Sequence, residues 1–221
     1  MKGLKVTVGG FMSVDGKIAP ANRVGREFTK FMTPKHQRLL HRIRSKVDAV
    51  VVGVDTVVAD DPSLTVREVK GRNPVRVVLD SHARTPLTSR ILNVDEAATI
   101  VAVSSKAEEC RINSLRNKKV EVIVTSSSEK VDLVELMMEL RKRGIRTVLV
   151  EGGGEVRWSF LKEKLADELF VWIMPYVWGG KDAPTLVGGE GFLRAEDALP
   201  LKPRSLRIVD NILILRFSVG S

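Results

Sequence analysis

The chain has 221 residues, 43% of them apolar and 5% aromatic, and carries 36 Lys+Arg against 27 Asp+Glu for a formal net charge of +9. That apolar share supports a sizeable core and excludes a disordered chain; one domain over residues 1–221 is expected. The single cysteine, Cys110, excludes an internal disulfide and a Cys-rich zinc site, and three histidines (His36, His41, His82) argue against a His-built metal site. No apolar run approaches the ~18 residues of a membrane span, so no membrane partner is expected. The start, MKGLKVTVGGFMSVDGK, breaks its apolar run at Gly9-Gly10 and lacks a small-residue cleavage pattern, which reads as mature sequence and places the protein in the cytoplasm.

The elements follow in chain order. Val6–Met12 reads as a strand, and Thr33-Pro34 opens a helix that runs to about Ser45. Strands are expected at Asp48–Gly53, Val75–Asp80, Thr99–Val103 and Val120–Val124. Asp132 and Glu135 have capping-box spacing for a helix that Gly144 stops, and Thr147–Val150 is the next strand. The run Glu151-Gly152-Gly153-Gly154 leads into a helix through about Lys164. Glu168–Met174 is a late strand, and Leu206–Val209 and Ile212–Phe217 flank a hairpin turn at Asp210-Asn211. Strands alternating with helices argue an α/β fold with a largely parallel sheet; the antiparallel closing pair makes that sheet mixed.

The charge is concentrated. Between Lys17 and Lys46 nine bases face one acid, Glu27, a surplus of eight. Such a segment suits an anionic partner, either a phosphorylated small molecule or a nucleic acid, or is simply a solvated helix face. Only Phe28 and Phe31 interleave it, too few for base stacking, so small phosphates rank above nucleic acid. A single glutamine, Gln37, within this heavy Lys/Arg/Glu load resembles thermophile composition.

Three segments carry candidate chemistry. The glycine run after Val150 is either a tight strand-to-helix turn or a backbone cradle for a phosphate at a helix N-terminus, with Glu151 on its rim as an acid/base; it is not the GxGxxG fingerprint. In GVDTVVADDPSLTVR from Gly53, Thr56 and Asp60 share a face if the stretch is helical and Arg67 has the chemistry to clamp a phosphate, but read alone the adjacent carboxylates before Pro62 are ordinary turn chemistry. Asp80-Ser81-His82-Ala83-Arg84 is an ordinary polar loop or a phosphate-monoester site suited to the 2′-phosphate of NADP. GFMSVDGK from Gly10 has the wrong spacing for a P-loop. The glycine-rich stretch Pro175–Phe192 reads as a plain connection, with a lid or dimer contact as the alternative.

Taken in order, SVDGKIA from Ser13, GVDTVVADDPSLTVR, NPVRVVLDS from Asn73, VEGGG from Val150 and DELFVWIMP from Asp167 resemble the pyrimidine reductases of riboflavin biosynthesis over nearly the whole chain. The resemblance implies a dihydrofolate-reductase-like fold with a mixed, mostly parallel central sheet flanked by helices. It also implies reduction, with NADPH or NADH and without a metal, of a ribosylamino-pyrimidinone 5′-phosphate to its ribitylamino form, and a homodimer. It assigns the cofactor to Thr56, Asp60, Ser81, His82, Arg84 and Gly152, Gly153, Gly154 and Glu155. It assigns the substrate to Ser13, Arg44, Leu64, Arg67 and Glu151, with Glu151 as the acid that assists sugar-ring opening.

Three positions depart from the family pattern. Glu155 stands where a small residue is usual, Asp55 replaces Gly or Asn, and Gly9 stands near the position of a lysine in bacterial members. The H-x-E…P-C-x-x-C set of a zinc deaminase is absent from the sequence, which implies a separate deaminase and the diamino form of the pyrimidine as substrate. Dihydrofolate reduction and nucleic-acid binding through Lys17–Lys46 are the competing readings.

Overall fold

The computed structural model describes residues 3–220. Among them the strands are β1 (Lys5–Ser13), β2 (Ala49–Gly53), β3 (Val75–Leu79), β4 (Thr99–Val103), β5 (Glu121–Val124), β6 (Thr147–Val150), β7 (Glu168–Met174), β8 (Leu201–Val209) and β9 (Ile212–Val219). The α-helices are α1 (Pro34–Arg44), α2 (Val54–Asp60), α3 (Glu109–Asn117), α4 (Leu133–Lys142) and α5 (Gly154–Lys162). Two compact units result. The first takes in residues up to Leu4 and Gln37–Leu149; the second takes in Lys5–His36 and the chain from Val150 onward.

In the first unit the strand order is β5-β4-β3-β2-β6. The β2–β3, β3–β4 and β4–β5 pairs are parallel, with Gly53 opposite Leu79. All five residues of β2 and of β4 are buried, because a parallel strand is covered on both faces; β2 is apolar throughout, and β4 is apolar after Thr99. Helices return the chain between strands, so the C-terminal ends of β2 and β3 lie at one edge, where open α/β sheets place ligands. The Asp132 carboxylate caps α4 by accepting from the Glu135 N–H at 2.8 Å. Glu135 does not complete the box. It accepts instead from the Ser126 N–H and hydroxyl, tying α4 to the end of β5.

In the second unit the order is β1-β7-β9-β8, with β1–β7 parallel and the other two pairs antiparallel. The sheet composition is therefore mixed and mostly parallel, as expected. Strand β8 begins at Leu201, five residues before the expected Leu206, because Pro203 is tolerated on an outer strand beside a bulge between Pro203 and Ser205. Asp210, at φ 54°, closes the hairpin. A 3-10 helix at Gly25–Phe31 was not expected. It directs Phe28 onto Trp178 (ring centroids 4.4 Å apart) and Phe31 onto Tyr176 (4.0 Å), so the two aromatics of the basic segment pack inward and offer no platform for bases.

The start of α1 is docked in this second unit. Thr33 accepts from the His36 N–H at 3.4 Å, and the Thr33 N–H donates to His36 Nδ1 at 3.2 Å, a capping box with histidine in the usual Glu/Gln place. That bond leaves the imidazole proton on Nε2, which donates to the Val209 carbonyl at 2.9 Å.

Candidate functional site

At the carboxyl edge of the first unit, Gly53 ends β2 and α2 starts at once, so the stretch is helical and Thr56 and Asp60 do share a face. Asp61 adopts φ 41° and ends the helix. Leu64, at φ 52°, is buried in a left-handed conformation that side chains adopt at a cost of about 1–2 kcal/mol. Arg76 holds it there. This fully buried guanidinium donates to the Ser63 carbonyl at 3.2 Å, to the Thr99 hydroxyl at 3.0 Å and to the carbonyls of Asn93 and Ala97 at 2.7 and 2.6 Å. Burial lowers its pKa, an effect that Glu96 opposes.

The loop after β3 is equally fixed. Asp80 is fully buried and its Oδ2 accepts from the Thr85 N–H at 2.6 Å and hydroxyl at 2.7 Å. Ala83, at φ 54°, completes the turn, which leaves His82 and Arg84 exposed. Ser81 Oγ accepts from the Val131 N–H at 3.2 Å, and the Ser81 carbonyl accepts from Ser104. Arg84 Nη2 meets Asp55 Oδ1 at 2.9 Å.

Arg67 is placed by His41, a residue that sequence reasoning considered only as a metal ligand. The Arg67 N–H donates to buried His41 Nδ1 at 2.9 Å, and its guanidinium donates to Thr65 Oγ1 at 2.7 Å. Arg44 lies three residues beyond His41 on α1, on the same face. The two arginines assigned to a phosphate are thus brought to one region.

In the second unit, Gly153 takes φ 62° at the N-cap of α5, a conformation that suits glycine. A Cβ on Gly154 would lie 2.7 Å from the Thr185 carbonyl, because residues 184–192 form a strap along α5. The strap is pinned by the Gly188 N–H to the Gly154 carbonyl (3.1 Å), by Lys162 to Glu190, and by Trp158 against Phe192. Glu155 is part of the same seam: its Oε1 accepts from the Gly189 N–H at 2.8 Å. The carboxylate is therefore committed to the strap, which removes the repulsion expected from an acid at the glycine turn. The first-turn N–H groups of α5 have no intrahelical acceptor and carry the positive end of its dipole.

Beneath the turn lies Arg157, 4% exposed. It donates to the carbonyls of Gly9 (3.0 Å), Leu186 (3.1 Å) and Glu151. Burial lowers its pKa to about 10, and the Glu151 carboxylate acts in the opposite direction, so the group stays charged at neutral pH. Ser13 is fully buried; its hydroxyl donates to Asp15 Oδ1 at 2.5 Å and accepts from the Lys17 N–H at 3.0 Å. Asp15 also accepts from the N–H groups of Trp178 and Gly179, at 3.2 and 2.7 Å. Together these bonds lower its pKa to about 2: the Ser13 hydroxyl contributes most, burial opposes it, and the two amides add to it. Among the described residues no group of three or more His, Cys, Asp or Glu is placed to hold a metal, and no helix is long and apolar enough to cross a membrane.

A mixed, mostly parallel sheet with a fixed polar loop after β3 and a glycine turn opening α5 defines a dihydrofolate-reductase-like α/β protein. A dihydrofolate reductase from Enterococcus faecalis shares this fold, with a TM-score of 0.52 at 12% identity over 98% of this chain and 97% of that one. The chain belongs to the RibD C-terminal domain family, whose model matches residues 4–215. It is 40% identical over 209 residues to the 2,5-diamino-6-ribosylamino-4(3H)-pyrimidinone 5′-phosphate reductase of Aquifex aeolicus, covering 94% of this chain and 93% of the other. The protein of the same name from Methanothermobacter thermautotrophicus is 42% identical over 211 residues, with 94% of each chain covered. Among solved structures, Acinetobacter baumannii RibD aligns with a TM-score of 0.81 at 26% identity over 98% of this chain, which spans 58% of that longer one. These matches select the reductase reading over dihydrofolate reduction and nucleic-acid binding.

Proposed function

We propose that this chain is an oxidoreductase that reduces the ribosylamino group of 2,5-diamino-6-ribosylamino-4(3H)-pyrimidinone 5′-phosphate to ribitylamino, with NADPH as reductant and NADH as the alternative. The observation that carries the reading is the near end-to-end identity of 40% and 42% with two reductases of that name. The reading treats residues 1–221 as one reductase domain working in the cytoplasm.

The residues present fit a dinucleotide. The glycine turn offers backbone donors with no acid turned against them, since Glu155 is held by Gly189. Gly152, Gly153, Gly154 and Glu155 would hold the pyrophosphate through main-chain N–H groups, Thr56 and Asp60 would contact the cofactor from α2, and Ser81, His82 and Arg84 would hold the adenosine phosphate. The chemistry that a reduced nicotinamide supplies when bound is a hydride for C1′ of the sugar.

The remaining work falls to this chain's side chains. Arg44 and Arg67 bind the 5′-phosphate of the substrate, and Leu64 packs against it from a backbone fixed through Arg76. Opening the sugar ring to an imine requires a proton on the ring oxygen, and Glu151 delivers it, positioned by the bond from Arg157 to its carbonyl. Ser13 serves through the turn it closes with Asp15 and Lys17.

A homodimer is part of this reading. Leu206 and Ile208 are 61% and 66% exposed on β8 and sit opposite Leu215 and Leu213 of β9, so one face of the hairpin shows an apolar stripe to solvent. Light scattering should find a dimer that Leu206→Lys with Ile208→Lys converts to monomer.

The activity test is a spectrophotometric one. Purified protein should oxidise NADPH only when the ribosylamino-pyrimidinone phosphate is added, with ribitylamino product seen by mass spectrometry. An unchanged nicotinamide band with well-folded protein and authentic substrate would overturn the assignment.

A further inference from the structure

Asp55 stands at the second position of α2 and Arg84 follows the end of β3 by five residues. The parallel register that sets Gly53 opposite Leu79 brings both to the same edge of the first unit. There, Arg84 Nη2 and Asp55 Oδ1 lie 2.9 Å apart, with side chains 52% and 86% exposed. We propose that Asp55 is a specificity-determining residue: by pairing with Arg84 it holds back the affinity of this loop for a phosphate monoester, so that coenzymes with and without a 2′-phosphate bind comparably. The inference rests on the reading of Ser81, His82 and Arg84 as the loop that meets the adenosine end of the coenzyme.

The geometry supports it from three sides. First, the loop cannot swing Arg84 freely, because Asp80 clamps the turn through Thr85 and Ala83 sits buried at φ 54°. Second, Asp55 cannot retreat far, because Val54 and Val57 on either side are buried and anchor the helix. Third, Arg84 is the only formal cation in Asp80–Thr85, and Ser81 Oγ already accepts from Val131. A phosphate arriving at Arg84 must therefore displace a carboxylate and then remain beside it. An exposed ion pair is weak enough to be displaced, yet the carboxylate charge remains and opposes a dianion. An unphosphorylated ribose meets neither effect.

The experiment measures binding, not turnover. Dissociation constants for NADPH and NADH are read by nicotinamide fluorescence, and those for adenosine 2′,5′-bisphosphate and 5′-AMP by calorimetry. The proteins compared are the wild type, Asp55→Asn and Arg84→Ala. Removing the charge in Asp55→Asn should raise the preference for the 2′-phosphorylated member of each pair about five-fold at low ionic strength. That gain should shrink toward nothing at about 0.5 M salt. Arg84→Ala should lower the same preference. If Asp55→Asn leaves the ratio unchanged while Arg84→Ala lowers it, Arg84 binds the phosphate unopposed and the proposal falls, though the loop assignment stands. If neither variant moves the ratio, the loop assignment falls with it. The reductase reading is tested apart from both by substrate-dependent NADPH oxidation.

Discussion

Each unit buries one arginine and meets it chiefly with backbone carbonyls, but the two are put to different use. Arg76, on β3, ties together Ser63, Asn93 and Ala97, three points on loops of the first unit. Arg157, on α5, ties Gly9 of β1 and Leu186 of the strap to Glu151, the residue at the mouth of the glycine turn. A buried guanidinium is costly to desolvate, and a cluster of inward-facing carbonyls is costly to leave unpaired. Each solves the other's problem. In the first unit the result is a fixed loop that holds Leu64 at positive φ. In the second it is a fixed site, because the same three bonds determine where Glu151 lies.

The largest expected effects come from removing these side chains. Arg76→Met and Arg157→Met each strand several carbonyls and should cost about 3–5 kcal/mol, or a drop in Tm of roughly 10 °C. The conservative variants separate the two roles. Arg157→Lys keeps the charge but cannot reach three carbonyls at once, and should weaken NADPH binding several-fold in protein that is still folded by circular dichroism. Arg76→Lys should lower Tm and leave NADPH affinity close to wild type. Equal NADPH affinities for the two lysine variants would end the distinction. The pH sense is fixed by burial, which lowers Arg157 from its ordinary, higher value to about 10 in the fold. Between those values the unfolded chain holds a proton that the native one has lost, so the burial penalty is present in full below pH 10 and is relieved only above it.

A smaller effect tests how tightly β1 lies over its neighbours. A Cβ on Gly9 would fall 2.2 Å from Phe170 Cδ1, and one on Gly10 2.4 Å from Arg157 Nη2. Both contacts require something to move, at a typical cost of about 1–3 kcal/mol. The Phe170 ring is buried in β7 opposite Gly9 and has nowhere to go, whereas a guanidinium at the end of a long chain can shift while losing bond quality. Gly9→Ala should therefore lower Tm more than Gly10→Ala, and Gly10→Ala should lower NADPH affinity more than Gly9→Ala. Tm and nicotinamide fluorescence on the two variants check the crossing.

Much of this was legible in the sequence, for identifiable reasons. β2 and residues 100–103 of β4 are apolar runs because both their faces are covered, and α4 keeps a clean helical period from Leu133 to Leu140. Thr56 and Asp60 fall on one face because their spacing matches the helix that forms. What escaped was polar burial. Arg76 lies inside VRVVL, where every neighbour is apolar, and Arg157 stands three and four residues before Phe160 and Leu161, on the buried stripe of α5. Those apolar neighbours are the signal by which the inward direction of both side chains could have been found. What position could not supply was the partners, because carbonyls of residues 9, 63, 93, 97, 151 and 186 leave no trace in side-chain pattern. Glu155 and Asp55 were visible as departures, but their partners, the Gly189 amide and Arg84, come from distant segments.

The smallest expected effect concerns acid, and it again contrasts the units. Asp15 in the second unit has its pKa lowered to about 2, chiefly by the Ser13 hydroxyl, against burial, with the amides of Gly179 and Trp178 assisting. Asp48 in the first unit is also lowered: burial raises it, but the amides of Arg146 and Thr147, the Thr147 hydroxyl and the Arg72 charge together prevail. A carboxylate depressed in the fold contributes stability that is fully present above its unfolded pKa, about 4, and is lost as pH falls through the folded value. Acid should therefore loosen both anchors below about pH 4. The three tryptophans, Trp158, Trp172 and Trp178, all belong to the second unit, so their emission reports that unit alone. Trp178 packs on Phe28, and its N–H donates to Asp15, so its emission should change between pH 4 and 2. Asp15→Asn should remove that step, because the amide gains no proton in this range; its NH2 also replaces one of the two oxygens that accept from Ser13, Trp178 and Gly179, so the variant starts from a lower Tm at neutral pH. Asp48→Asn should lower Tm at neutral pH and leave the tryptophan step in place. If Asp15→Asn retains the step, the anchor between the Ser13–Lys17 turn and Trp178-Gly179 is not what acid releases.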